Sequence, residues 1–154
     1  MIETDADCSV SAAPLAFVID DDLHICQFVA STLAEEGIRA DNFQTAKTAL
    51  AALAASRPAV IFLDVALSQS DAIDVLRGLG KHRYDGVVQL MSGGTPSLLA
   101  AIRRIGVREG IALGEPLKKP VTREAIVQVL AGAGLSGTAA RAERARRSPP
   151  IAPE

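Results

Sequence analysis

Four short apolar runs constrain this chain more than any other feature: Leu15 to Ile19, Val60 to Leu63, Val87 to Met91 and the weaker Ile111 to Leu113. Each has the length of a strand buried on both faces, and a strand without a polar face needs cover above and below. The segments after them carry apolar residues at helical spacing: Ile25, Phe28, Val29 and Leu33; Ala46, Leu50 and Leu53; Ile73, Leu76 and Leu79; Leu98, Ala101, Ile102 and Ile105; Ile126, Val129 and Leu130. Gly37 stands where the first helix should end in a left-handed residue, and Thr45 and Thr122 stand as N-caps of the second and fifth helices. Arg39 to Phe43 is polar and alternates weakly, yet its place between two helices makes it a fifth strand.

Strands alternating with helices predict an α/β fold with a parallel sheet covered on both faces, since each parallel crossover needs a long right-handed connection. One common solution for such a chain is the flavodoxin-like (βα)5 doubly wound sheet of order 2-1-3-4-5. Its ligands bind outside the carboxyl ends of the strands, at the switch point between strands 1 and 3. In that topology the ends of the runs converge. Asp20, Asp21 and Asp22 follow the first strand, Asp64 the third and Ser92 the fourth, while Lys118, Lys119 and Pro120 follow the fifth. Like charges this close disfavour each other's ionisation unless a cation offsets them. Carboxylate oxygens from two strands suit a hard divalent ion such as Mg²⁺, and a carboxylate beside that ion can attack phosphorus while a hydroxyl and an ammonium hold the other phosphoryl oxygens.

Composition narrows the setting. The chain has 154 residues, 49% hydrophobic and 22% charged, enough for one ordinary core. Its net charge is −2, and nothing marks a nucleic-acid-binding domain. Cys8 and Cys26 form neither a disulfide framework nor a metal-ligand spacing and read as free thiols. The acidic start lacks the basic and apolar regions of a secretory signal, and no apolar run approaches the ~20 residues of a membrane span. A cytoplasmic protein without membrane contact is expected, with residues 1–13 as a flexible leader, 14–134 as the folded domain and 135–154 as a disordered Arg/Pro-rich tail that cannot build a core.

The fragments "VIDDD", "VIFLD", "QLMSGG" and "LKKP", in this order and spacing, resemble the receiver domain of bacterial two-component response regulators from about Leu15 to Gly132. The resemblance implies Asp64 as phosphoacceptor and Asp20 and Asp21 as the acidic pair. Mg²⁺ would be held by Asp21, Asp64 and the backbone carbonyl of Ala66, with Asp20 acting through water. It further implies Ser92 as the hydroxyl switch with room left by Gly93, Lys119 as the phosphate partner, and a cis bond to Pro120. Ala66 and Gly94, both small, would tune the phosphorylated lifetime towards quick loss. Asp22 reads instead as a cap of the first helix, and His24 as a solvent-facing neighbour.

Departures from the pattern also matter. Ser68 and Ala72 replace a proline and a glycine that many receivers carry, which are tolerable changes. Pro116 stands where the family usually has the Tyr or Phe that reports phosphorylation, and Tyr84, before the fourth strand, cannot substitute. The run "GIALGEPLKKP" looks more like receivers attached to cyclic-di-GMP phosphodiesterases, although no such domain is seen in the sequence. The expectation is a single-domain response regulator, phosphorylated by a histidine kinase and signalling to a protein target or a histidine phosphotransfer protein; a homodimer is left open. Two alternatives stand beside it. One is a pseudo-receiver that binds without switching. The other is a haloacid dehalogenase-like phosphatase using Asp20 and Asp22, which lacks that family's second acidic pair after the lysine.

Overall fold

The computed structural model describes residues 14–135 apart from 68 and 95. The leader 1–13, with Cys8, and the tail 136–154 lie outside the described residues. The strands are β1 (Leu15–Ile19), β2 (Arg39–Phe43), β3 (Val60–Asp64), β4 (Val87–Ser92), β5 (Ala112–Leu113) and β6 (Leu117–Lys118). The helices are α1 (Leu23–Glu35), α2 (Ala46–Leu53), α3 (Gln69–Lys81), α4 (Pro96–Arg108) and α5 (Arg123–Gly132). The sheet is parallel throughout, in the order β2-β1-β3-β4-β5, with β6 also paired to β4. This is the flavodoxin-like order expected from the alternation of strands and helices.

The period-two pleat sorts the strand residues into two cores. Leu15, Phe17, Ile19, Ile61, Leu63, Val88 and Leu90 face α2, α3 and α4, and Ala16, Val18, Val60, Phe62 and Met91 face α1 and α5. The central strands β1 and β3 are buried at every position. By contrast β2, an edge strand bonded only to β1, has no fully buried residue, which explains its polar sequence.

Local sequence chemistry sets the helix ends. Asp22 caps α1 by accepting from the N–H groups of His24 and Ile25 at 2.9 and 3.4 Å. Gly37, at φ +81°, ends the helix with Ile38 N–H donating to Leu33 O, the left-handed closure that glycine favours. Thr45 and Thr122 cap α2 and α5. Tyr84 is buried and donates to Pro58 O at 2.8 Å, between the end of α3 and the start of β4. It therefore lies at the amino-terminal edge of the sheet, the edge opposite the aspartates.

The fifth strand departs from expectation. Instead of one strand over Ile111 to Leu113, two short pieces pair with β4, Val88 opposite Leu113 and Met91 opposite Leu117. Gly114, Glu115 and Pro116 therefore oppose only Gln89 and Leu90, a β-bulge with one extra residue. Pro116 has no N–H for a ladder and belongs at such a bulge.

Candidate functional site

The carboxyl ends of β1, β3, β4 and β6 meet at one rim. Asp20 is wholly buried, and both its oxygens are engaged: Oδ1 accepts from Asp22 N–H at 2.9 Å and Oδ2 from the Lys119 ammonium at 2.9 Å. Asp64, buried at the end of β3, accepts at Oδ1 from Ala66 N–H at 3.1 Å and lies 3.2 Å from the same ammonium. Asp21 is exposed at the mouth. One carboxylate oxygen from each of Asp20, Asp21 and Asp64 lies within 4.8 Å of the others, a grouping able to hold a metal ion. Three carboxylates and no nitrogen or sulfur donor fit a hard, oxygen-seeking cation such as Mg²⁺ rather than a softer one.

Electrostatics explain why Lys119 sits between two of them. Burial pushes the Asp64 carboxyl up and the Asp20 charge adds to this, while the Ala66 N–H and Lys119 pull the other way, leaving it raised. For Lys119 burial works against the ammonium, but its hydrogen bond to Asp20 and the charges of Asp64 and Asp20 outweigh that, so the lysine is held firmly charged. The rim carries its own partial counter-charge.

The remaining candidates fall around this cluster. Ser92, at the end of β4, is buried; its hydroxyl accepts from Gly94 N–H at 3.3 Å and its carbonyl from Lys119 N–H at 2.8 Å. Gly93 and Gly94 border open space, and Gly94 has φ +115°, a conformation that resists any side chain. Ala66 is exposed next to Asp64. The Lys119–Pro120 bond is cis. Asp22 does not join the cluster, because its carboxylate is turned to the start of α1. His24 is exposed beside it, and Lys118 is exposed. Pro116 lies in the bulge, away from the carboxylates.

Sequence reasoning missed two neighbours. Cys26 is buried in α1 and donates through Sγ to Asp20 O at 3.2 Å, fixing the backbone that carries the acidic pair. Gln89, buried in β4, donates from Nε2 to Glu115 O across the bulge. The signal for the second was present as a lone amide inside the otherwise apolar run "VVQLM".

Comparison with known proteins agrees with this geometry. The response regulator receiver domain model matches residues 16–131. The nitrogen assimilation regulatory protein NtrX of Azorhizobium caulinodans is 35% identical over 91 aligned residues; the match covers 56% of this chain and 20% of that protein's length. Among solved structures, a response regulator receiver protein from Burkholderia phymatum is 26% identical with a TM-score of 0.62, covering 80% of this chain and 97% of that one. The receiver domain of NtrX from Brucella abortus is 26% identical with a TM-score of 0.65, over 77% and 96% of the two chains. With a family model spanning the whole sheet and both flanking helix layers, the chain belongs to the response regulator receiver domain family.

Proposed function

We propose that this protein accepts a phosphoryl group on Asp64 from a histidine kinase and signals through a protein that reads the phosphorylated state, either a target or a histidine phosphotransfer protein. The observation that carries this reading is the convergence of Asp20, Asp21, Asp64 and Lys119 on one rim beside Ser92, from strands far apart in sequence. In the transfer, an Asp64 carboxylate oxygen attacks phosphorus as the N–P bond of a phosphohistidine breaks, and the departing imidazole keeps the bonding pair. Lys119, already on Asp64, pairs with the incoming phosphoryl oxygens. The Ser92 hydroxyl exchanges its local contact with Gly94 for the phosphoryl group, and that exchange biases the loop after β4. Asp20, Asp21, Asp64 and the Ala66 carbonyl would hold Mg²⁺, which when bound neutralises charge developing on the phosphoryl oxygens. Exposed Leu23, two residues after Asp21 at the start of α1, offers the donor an apolar footing beside the acceptor. The setting is cytoplasmic; among the described residues no helix is long and apolar enough to cross a membrane.

The phosphatase alternative needs Asp22 at the reacting centre, whereas its carboxylate caps α1. The test is incubation with phosphoramidate and Mg²⁺ followed by intact-mass measurement. Wild type should gain one phosphoryl group and Asp64→Asn none. Equal gain in both, or no gain in wild type, would defeat the reading.

A further inference from the structure

We infer that Gln89 is a positioning residue for Lys119: its side-chain amide clamps the bulge between β5 and β6 and so sets the register in which the lysine reaches the acidic cluster. The inference rests on the functional reading above for its rate measurement, though its geometry stands alone. Between Val88 and Met91, β4 advances three residues, while its partner advances four from Leu113 to Leu117. Gly114 N–H still donates to Val88 O at 3.0 Å and Lys119 N–H to Ser92 O at 2.8 Å, so both ends of the bulge are tied to β4. The middle has no ladder, and Pro116 can donate nothing. Gln89 Nε2 supplies the missing tie by donating to Glu115 O.

Gln89, Gly114 and the Glu115 carbonyl fit together in this device. Gln89 is only 2% exposed, and a buried amide that lost its partner would cost far more than the bond contributes. A side chain at Gly114 would run into the Gln89 amide oxygen, so the glycine makes room for the clamp. Leu113 and Leu117 pack against the two cores at either end, but the bulge between them borders an open cleft of about 580 Å³ lined by Gln89, Glu115, Pro116, Gln128 and Val129, so one of its sides has no packing. The extra residue matters to the site, since slipping a strand by one residue turns every following side chain to the other face. The observed register pairs Lys118 with Ser92 and leaves the next ammonium 2.9 Å from Asp20 and 3.2 Å from Asp64.

Gln89→Met keeps the bulk and removes the donor; Gly114→Ala keeps the donor and crowds it. The measurements are the phosphoramidate reaction rate at saturating Mg²⁺, the Mg²⁺ affinity, and the amide resonance of Lys119 in metal-free protein. Each variant should slow phosphorylation about 10- to 100-fold, the scale for a displaced catalytic group. Each should also shift the Lys119 amide, while Mg²⁺ affinity holds or rises because a competing cation has been loosened. An unchanged rate and Lys119 amide in both variants would overturn the clamp, as would a rate and an Mg²⁺ affinity that fall together, the mark of general loosening. If wild type takes up no phosphoryl group, the functional reading fails, and the Lys119 amide in the metal-free variants still decides the clamp.

Discussion

Two buried acids hold their protons because of where the chain places them. Burial pushes the Cys26 thiol up to about 11, with the charge of Asp20 adding to it, and burial likewise raises the Tyr84 phenol, with Asp85 adding to it. Both groups favour the neutral form in the fold, so their contribution is complete below their unfolded pKa values and is lost as pH rises through the folded ones. For the thiol the window runs from its ordinary value of 9.0 to about 11. Unfolding free energies from urea melts between pH 8 and 11 should therefore fall, by an amount on the order of 2 kcal/mol from the thiol. The fall should be shallower in Cys26→Ala, and an equal slope in the variant would show that the thiol does not couple to folding.

At the scale of elements, α4 and β5 lie against each other through Gly106. A Cβ there would stand 2.9 Å from Leu113 Cδ1, so the glycine, otherwise a poor mid-helix residue, lets the helix approach a strand only two residues long. Gly106→Leu should destabilise by ~1–3 kcal/mol despite the better helix former, read from denaturant unfolding; a stabilised variant would show that the contact is loose. These elements also show what the sequence made legible. The central strands were readable because each is apolar up to the aspartate that closes β3 or follows β1, and α1 because Asp22 and Gly37 mark its two ends. The acidic rim followed from topology once β1 and β3 were recognised as neighbours. The division of the fifth strand was not readable, because a bulge is a count of residues against a partner and "GIALGEPLKKP" does not carry the partner. Gln89 stood out as a lone amide in an apolar run, but its partner did not: the bond runs to a backbone carbonyl 26 residues away, and a carbonyl has no sequence signature.

Across the whole molecule, the sheet stacks two apolar cores and collects its electrostatic cost at one rim. Strands buried on both faces provide the stability, while Asp20 and Asp64 lie buried within reach of one ammonium. Asp64 is raised first by burial and then by Asp20, so its ionised form weighs against folding at neutral pH when no cation is present. A cation that binds only the folded rim adds RT ln(1 + [L]/Kd), about 2.7 kcal/mol at a hundredfold excess over Kd. Two effects of opposite sign should then appear in one variant. In EDTA, Asp64→Asn should melt above wild type because a buried charge has gone. In rising Mg²⁺, wild type should gain in Tm and the variant should gain much less because a ligand has gone with the charge. Calorimetric melts across an Mg²⁺ series would read both. A variant that melts lower in EDTA, or that follows wild type through the series, would mean that the rim is balanced by Lys119 alone and that Asp64 has no part in holding a cation.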